Sequence, residues 1–459
     1  MEYVLKDARG GDMNRDAARR LGLISCSAIV AGNMMGSGIA LLPANLAAIG
    51  SITSLSWIIS IVGAISLAYI FAKLGTVNPQ QGGPIAYSEE VSPILGYQAG
   101  TLYFHANWVG NLAISITAVA YLSVFVPELA KPIPAGFATI GTVWFFTLIN
   151  LAGPRWIGKL TTVGVALLLL PVLLTGIVGF YYFEPELFVQ NWNVSQKGGF
   201  QAVFNGALLC LWSFIGIESA TTDANLVKDP KRTIPRATMI GAGLAALVYF
   251  ASCTAISGMF PAAKVAASGA PFSLAVAHVV GAWSSHIVSV IVAFACLTSL
   301  GSWMMLVAEA GARTARDGML PRSFGKTNAK GIPVRGMIII ACMMSALMLV
   351  LMFFSSSSSA QHLFGNIISI AVLLTILPYF YSILDLLHHC ELKGKRVFYQ
   401  ILACYVGAVF CLIAIAGSHD LILVSAVVVS FLAMIFYERK DRSAFEKQIH
   451  EEKKRAGLW

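Results

Sequence analysis

Two glycine-containing interruptions of long apolar segments are where this sequence could do chemistry. The first covers residues 32–38 (GNMMGSG), and the second covers residues 212–219 (WSFIGIES). Glycine inside a helix costs about 1 kcal/mol relative to alanine, so clustered glycines favour unwinding. Unwound backbone at membrane depth frees N–H and C=O groups that can bind a substrate or an ion. Close helix packing through small residues is the structural alternative for either segment alone.

Glu218 is the sharpest single signal, because its carboxyl group lies within an otherwise apolar segment. A charge there costs several kcal/mol unless it is paired or hydrated, which makes such a residue a functional candidate. We predict a cation site or a pH-sensitive switch, and a protonated glutamate bonded to a neighbouring helix is the structural alternative. Asp223 is expected to be solvated near the end of the same segment, and Glu309 to pair with Arg313.

Aromatic and polar side chains in other segments could line a site around these breaks. An ammonium ion over a tryptophan face gains up to ~2 kcal/mol when both groups are desolvated. Core packing is the alternative for each aromatic residue, and a hydrogen-bonded packing role is expected for His105. The aromatic candidates are Tyr103, Trp108, Trp212 and Trp303, and the polar ones are Asn107, Asn111, Ser369, Tyr379 and Tyr381.

The elements that must position these residues are membrane-spanning helices. Of the 459 residues, 57% are hydrophobic and only 12% are charged, whereas soluble domains carry about 25% charged residues. Apolar stretches of about 20 residues have the length that a helix needs to cross the hydrocarbon core, and barrel strands would instead alternate polar and apolar residues. We predict an all-α polytopic membrane protein with twelve transmembrane helices, at 21–49, 51–73, 94–126, 133–151, 157–182, 198–226, 234–258, 284–312, 335–354, 363–387, 398–417 and 419–437.

The distribution of lysine and arginine predicts that both termini are cytoplasmic. With that orientation, all but three of the 31 basic residues fall on the cytoplasmic side, in agreement with the positive-inside rule. The exceptions are Lys131, Lys197 and Lys264. Basic loops facing anionic lipid explain the net charge of +9, so no nucleic-acid partner is implied. The first twenty residues are polar and mixed in charge, unlike a cleavable signal peptide.

Matching breaks in the first and sixth helices predict two five-helix halves. Because five is odd, the second half enters the membrane from the opposite face, which gives an inverted repeat with the substrate site at both breaks. The predicted organisation is a cytoplasmic tail 1–20, a first repeat 21–182, a second repeat 198–387, helices eleven and twelve at 398–437, and a cytoplasmic tail 438–459.

Motifs for enzymes and cofactors are missing from the sequence. We find no zinc-binding H-E-x-x-H, Walker loop, nucleophile elbow or dinucleotide fingerprint, so neither a cofactor nor a metal is expected. The eight cysteines lack the paired spacing of zinc sites or disulfide frameworks. They are expected to be small core residues.

Six segments carry a family resemblance. They are AGNMMGSGIALLPANLA (31–47), NPQQGGPIAY (78–87), HANWVGNLAI (105–114), LWSFIGIESA (211–220), ACLTSLGSWMML (295–306) and AVLLTILPYFYS (371–382). Together they resemble the basic amino acid/polyamine antiporters of the amino acid–polyamine–organocation superfamily, and most of all the cadaverine/lysine antiporters. The resemblance covers roughly residues 20–440. Relatives that exchange arginine for agmatine or ornithine for putrescine match fewer of these segments.

The resemblance implies roles for individual residues. The substrate carboxylate would bind at the first break, and an ammonium group would bind carbonyls around Trp212 to Ile215. Glu218 would be the pH-sensing or cation-binding residue, and the gates would use Tyr87, Glu90, Trp212 and Trp303. The implied substrate-binding set is Asn33, Gly36, Ser37, Gly38, Tyr103, Ala106, Asn107, Asn111, Trp212, Ile215, Trp303 and Ser369. Departures from the family pattern, which bear on selectivity, are Phe104, Asp223 and Glu309.

The function implied by the resemblance is exchange of external L-lysine for internal cadaverine across the cell inner membrane. In the family this exchange supports acid resistance together with a cytoplasmic lysine decarboxylase, and the resemblance is compatible with a homodimer. The alternatives are a proton-coupled uptake permease for lysine or a polyamine, an arginine/agmatine or ornithine/putrescine exchanger, and a non-transporting diamine sensor. A membrane enzyme is disfavoured, because clustered catalytic groups are missing from the sequence.

Overall fold

The computed structural model describes residues 22–35, 38–77, 83–152, 157–222, 227–316, 319–328, 332–354, 360–389, 395–420, 422–432 and 434–435. Within these residues the regular structure is helical. In chain order the α-helices are α1 (Leu23–Met34), α2 (Leu42–Ala47), α3 (Thr53–Val77), α4 (Pro84–Val91), α5 (Pro93–Leu122), α6 (Pro132–Ala152), α7 (Ile157–Val178), α8 (Pro185–Gln190), α9 (Gly199–Phe214), α10 (Ser219–Thr222), α11 (Pro230–Met259), α12 (Ala262–Ala266), α13 (Pro271–Val280), α14 (Ser284–Arg316), α15 (Val334–Phe354), α16 (Ala360–His388), α17 (Lys395–Ala416) and α18 (Ile422–Leu432). Two 3-10 helices, Pro127–Ala130 and Gly179–Tyr182, accompany them.

Eight of the helices in the described part of the chain are long and apolar enough to cross a membrane, by length and composition. They are α3, α6, α7, α11, α14, α15, α16 and α17. Shorter apolar helices at Leu23–Gly32, Gly199–Phe214 and Ile422–Leu432 fall within the predicted first, sixth and twelfth segments. The predicted third segment is α5, which runs over 30 residues. The chain is therefore an all-helical, multi-pass membrane protein.

The predicted third segment was too long at its C-terminal end. It extended to residue 126, whereas α5 ends at Leu122 and the chain then turns into the 3-10 helix Pro127–Ala130. Val124, Phe125 and Val126 continue the apolar run past the end of the helix, so hydropathy alone could not locate that end.

Both predicted interruptions are breaks between helices. α1 ends at Met34 and α2 begins at Leu42, while Gly36 and Ser37 between them lie outside the described residues. α9 ends at Phe214 and α10 begins at Ser219. Within the second break Gly216 has a φ of +106°, which residues with a side chain rarely adopt. This glycine therefore permits the backbone turn that interrupts the sixth segment.

The packing of the long helices repeats between the two predicted halves. α11 packs against α1 as α3 packs against α9, and α14 packs against α7 as α16 packs against α5. Three further pairs join the halves directly, namely α3 with α11, α5 with α14, and α6 with α15. If each of the first five predicted segments is paired in order with one of the second five, exchanging the paired segments turns the contact of α11 with α1 into that of α3 with α9, and the contact of α14 with α7 into that of α16 with α5. The three further contacts are each between two paired segments.

Short helices between the spans were not predicted, because they are too short for a transmembrane hydropathy window. α4, α8 and α13 each begin with a proline, whose fixed φ suits the first turn of a helix. Asn191, directly after α8, joins its own loop to the loop between α11 and α12 by hydrogen bonds. Its amide donates to the Phe260 carbonyl at 2.9 Å, and its Oδ1 accepts from the Ala262 N–H at 3.0 Å.

Candidate functional site

A cavity lies between the two helix breaks and α5. It contains about 590 Å³ of empty space, a figure that includes the open solvent at its mouth. Distant stretches of the chain meet there, since the lining residues come from the first break, α5, the second break, α14 and α16. The predicted binding residues that line it are Gly38, Tyr103, Ala106, Asn107, Asn111, Trp212, Ile215 and Trp303.

Four predicted binding residues do not appear in this lining. Ser369 lies on α16, where its hydroxyl donates to the Gly365 carbonyl at 2.8 Å. Gly36 and Ser37 lie outside the described residues, as does the side chain of Asn33. The first break is therefore represented at the cavity by Gly38 and by Met34, which sequence reasoning did not name.

Trp108, His105 and the described residues that depart from the family pattern are not among the residues that line the cavity. The indole N–H of Trp108 donates to Nδ1 of His105 at 2.8 Å, which agrees with the packing role expected for that histidine. Phe104 packs edge-on against Phe324 with ring centroids 5.4 Å apart. Glu309 is exposed on α14. The side chain of Arg313, the partner expected for Glu309, lies outside the described residues, and so does Asp223.

Small and aliphatic residues complete the cavity, and sequence reasoning missed them. Gly110 is the most informative, because a Cβ at this position would lie only 2.9 Å from Cη2 of Trp212. The absence of a side chain at Gly110 therefore makes room for the indole ring. A glycine within a helical motif was visible in the sequence, but nothing indicated which ring it faced. The missed lining residues are Met34, Gly110, Ile114, Ser299 and Thr375.

Glu218 is almost fully buried, and its carboxylate joins three elements. Oε1 accepts a hydrogen bond from the Tyr103 hydroxyl on α5. Oε2 accepts from the Tyr379 hydroxyl on α16 at 2.7 Å and from the Gly216 N–H at 3.2 Å. Because Tyr103 also lines the cavity, its side chain connects the cavity to the carboxylate. Protonating either oxygen would reverse or break at least one of these hydrogen bonds.

The second break leaves some main-chain carbonyls open and engages others. The carbonyls of Trp212 and Phe214 accept hydrogen bonds from the N–H groups of Ile215 and Ile217, each at 3.2 Å. No residue in the described ranges donates to the carbonyls of Ser213 and Ile215. Among the carbonyls around Trp212 to Ile215 that are expected to receive an ammonium group, these two are therefore unoccupied by the described residues.

The cavity also offers hydrogen-bond donors. The amide nitrogen of Asn111 and the indole nitrogen of Trp212 are buried and have no hydrogen-bond partner in the part of the chain that the structure describes. A buried donor without a partner costs about 1–3 kcal/mol, which a ligand with an acceptor group would recover. Among the described residues, no group of three or more His, Cys, Asp or Glu is placed to hold a metal ion. The site is thus suited to a ligand with both acceptor and donor ends.

A series of aromatic rings leads from Glu218 to the predicted gate residue Tyr87. Tyr379, which donates to Glu218, packs edge-on against Phe71 with ring centroids 5.2 Å apart, and Phe71 lies 6.5 Å from the ring of Tyr87. Tyr87 is fully buried on α4, whereas Glu90, one turn later, is exposed. Of these two predicted gate residues, Tyr87 is therefore part of the packed interior, and Glu90 lies at the surface.

Known proteins are similar to this sequence along nearly its whole length. Residues 21–436 match the family described as amino acid permease. The cadaverine/lysine antiporter of Escherichia coli (strain K12) is 50% identical over 435 residues, which are 95% of this chain and 97% of that protein. The putrescine transporter PotE of the same strain is 30% identical over 429 residues, 93% of this chain and 97% of its own length. The PotE protein of Haemophilus influenzae is 30% identical over 426 residues, 92% and 97% of the two chains.

Proposed function

The chain belongs to the amino acid permease family, and we propose that it is an antiporter that exchanges external L-lysine for internal cadaverine. It is a transporter and not an enzyme, since the family match covers residues 21–436. The observation that carries the choice of substrates is the 50% identity, over 95% of the chain, to a cadaverine/lysine antiporter. The 30% identity to putrescine transporters is lower over a similar length, so these substrates are favoured over ornithine and putrescine.

The cavity has groups for both substrates. Lysine has a carboxylate, which the unpartnered amide donor of Asn111 suits, together with the backbone of the first break. Both substrates have an ammonium group on an aliphatic chain, which the open carbonyl of Ile215 and the ring of Trp303 suit. The groups that bind the carboxylate, from the first break and α5, discriminate between the two substrates. The second break binds the ammonium group that both substrates have.

Glu218 serves as the pH-sensitive residue in this proposal. Its hydrogen bonds tie α5, α16 and the second break together, and Tyr103 carries the connection into the cavity. A change in its protonation alters those bonds at the same time as it alters the charge beneath a cationic substrate. Opposite charges attract strongly at low effective dielectric, so ionised Glu218 favours the dication cadaverine.

The membrane arrangement is an inverted repeat of five helices with two further helices and cytoplasmic termini. The paired breaks and the paired helix contacts between the two halves support the repeat. The positive-inside distribution of lysine and arginine supports the orientation in the cell inner membrane. A cysteine introduced at Lys231 is expected to resist an impermeant thiol reagent in intact cells and to react after permeabilisation. Labelling in intact cells would contradict this orientation.

The biological role follows from the chemistry of the two substrates. Decarboxylation of lysine in the cytoplasm consumes a proton and produces cadaverine, so a lysine decarboxylase would supply the internal substrate. Exchange then removes cadaverine and imports lysine, which supports acid resistance.

The direct test is uptake of labelled lysine into proteoliposomes loaded with different counter-substrates. Internal cadaverine should stimulate uptake most, empty liposomes should take up little, and arginine, agmatine, ornithine and putrescine should stimulate less than cadaverine. Uptake into empty liposomes at the same rate would identify an uptake permease instead. Strongest stimulation by agmatine or putrescine would assign the chain to a different exchange within the family.

A further inference from the structure

Asp385 is a buried carboxylate that the proposed transport cavity does not use. It lies three residues before the end of α16, and none of its surface is exposed. Neither of its oxygens has a hydrogen-bond partner among the described residues. A carboxylate within a membrane-spanning helix is costly unless it is paired, hydrated or bound to a ligand. This residue therefore needs an explanation that packing alone does not supply.

His389 only partly explains Asp385. Its Nδ1 lies 3.1 Å from Oδ1 of Asp385, which meets the distance of an ion pair. The same nitrogen lies 3.0 Å from the main-chain oxygen of Asp385, and it is this contact that has the geometry of a hydrogen bond. The contact with the carboxylate does not have hydrogen-bond geometry, and no described lysine or arginine lies within 4 Å of it. The other titratable neighbours are Glu90 and His388.

Tyr87 places a second buried polar atom on the helix that packs against α16. It is fully buried on α4, which packs against α16, and its hydroxyl makes no hydrogen bond to a described residue. Burial raises the pKa of the Tyr87 phenol, and the negative charge of Asp385 adds to the rise. The Thr221 hydroxyl donates to the Glu218 main-chain oxygen at 2.6 Å and is not available as a donor to Tyr87.

The chemistry of these two residues selects the class of ligand. An ionised aspartate only accepts hydrogen bonds, and a tyrosine oxygen accepts one as well, whereas a primary ammonium group offers three donors and a positive charge. Glu90, exposed one turn after Tyr87, places a second negative charge at the edge of the pair. The aromatic series Tyr87, Phe71 and Tyr379 runs from here to Glu218, so packed rings connect this place with the carboxylate beside the cavity.

We propose that Asp385 and Tyr87 form a second substrate site, which binds a primary ammonium group of the diamine arriving from the cytoplasm before the diamine reaches the cavity beside Glu218. The inference rests on the proposed exchange of lysine for cadaverine. Both residues are buried in this structure, so α4 must move away from α16 before the ammonium group enters. Lysine arriving from the outside reaches the cavity from the other end and does not depend on this site for binding.

The test is the KM for each substrate at the face where it enters. Everted membrane vesicles loaded with lysine give the KM for cadaverine at the cytoplasmic face, and right-side-out vesicles loaded with cadaverine give the KM for external lysine. Asp385→Asn should raise the cadaverine KM about tenfold, equivalent to about 1.4 kcal/mol. It should leave the lysine KM unchanged. An unchanged cadaverine KM, or an equal rise for both substrates, would overturn the proposal.

Asp229→Asn is the matched control. Asp229 belongs to the cytoplasmic side of the predicted orientation, is exposed, and has Oδ2 3.8 Å from Nε of Arg232. Its substitution removes the same charge without touching the site and should alter neither KM. If it raised the cadaverine KM as much as Asp385→Asn, general attraction of the dication to an acidic surface would replace the specific site.

A second variant keeps the test decisive if Asp385→Asn does not fold, as judged by loss of lysine uptake. Asp385→Glu retains the charge but moves the carboxylate by one methylene group. It should raise the cytoplasmic cadaverine KM by about threefold with little effect on lysine. Unchanged values for both substrates would overturn the site. Failure of the unsubstituted protein to exchange lysine for cadaverine would instead overturn the proposed function.

Discussion

Replacing Gly110 by alanine should displace the indole ring of Trp212. The new Cβ would lie 2.9 Å from Cη2 and 3.2 Å from Cζ3 of that ring. Carbon atoms pack best at about 3.5–4.0 Å, so the ring has to move by roughly 0.5–1 Å. Overpacking costs about 1–3 kcal/mol, and alanine returns about 1 kcal/mol through its helix propensity. The net loss of folding free energy should therefore be about 0–2 kcal/mol.

The displaced ring should weaken binding of both lysine and cadaverine. Trp212 is only half-buried and lines the cavity, so the ring can move into the space that the substrate occupies. The aliphatic chain and the ammonium group that contact the ring are common to both substrates. Loss of about 1 kcal/mol of stacking and cation–π energy corresponds to a roughly fivefold rise in each Kd.

Calorimetric titration of both ligands into the purified variant measures this effect, and Gly141→Ala is the control. Gly141 lies in α6, and a Cβ there would meet nothing within 4 Å. Its substitution should leave both Kd values unchanged and slightly raise the melting temperature. If Gly110→Ala bound both ligands as the unsubstituted protein does, Trp212 would not contact the substrates in the way described.

Three further substitutions test other parts of the site. Glu218→Gln should fold and exchange substrates but lose much of its pH dependence, because glutamine keeps the shape without the titratable group; exchange that followed pH as before would place the sensor elsewhere. Trp303→Leu should weaken both substrates by about 1–2 kcal/mol, and unchanged calorimetric affinities would leave it only a packing role. Gly38→Ala puts a Cβ 3.4 Å from the Met34 carbonyl and 3.6 Å from Nε1 of Trp212, so the fold should tolerate it. Titration should then find the lysine Kd raised more than the cadaverine Kd, whereas equal losses would mean that this segment shapes the whole cavity.

The breaks and the spans could be predicted because each has a local physical cause. A span needs about 20 apolar residues to cross the bilayer, and that requirement is visible in the sequence. The second break depends on Gly216, whose positive φ is a property of glycine itself. The end of α5 was misjudged because the apolar residues that follow Leu122 lie in a turn and not in the helix.

The partners of Glu218 could not be predicted from local patterns. Tyr103 and Tyr379 were each recognised as polar groups within apolar segments, but they lie 115 and 161 residues from Glu218 in the chain. Only the packing of α5 and α16 around the second break brings them together. The role of Gly110 is hidden for the same reason, since the ring that it accommodates belongs to another helix.

Asp385 was overlooked because of its position near the end of a predicted segment. A carboxylate at the end of a segment is expected to reach water, as are polar neighbours such as His388 and His389. The structure instead buries Asp385 completely, while His388 remains exposed. Burial at a helix end depends on whether another element covers it, and here α4 packs against α16.

The effect of membrane potential on exchange tests the central claim most directly. One lysine with charge +1 entering for one cadaverine with charge +2 leaving moves one positive charge outward per cycle, worth ~2.3 kcal/mol per 100 mV. Labelled lysine uptake into proteoliposomes loaded with cadaverine should therefore be faster at an inside-positive potential than at an inside-negative one. It should be nearly absent without internal substrate. Uptake that an inside-negative potential accelerates, and that needs no internal cadaverine, would contradict exchange and identify a cation-uptake permease.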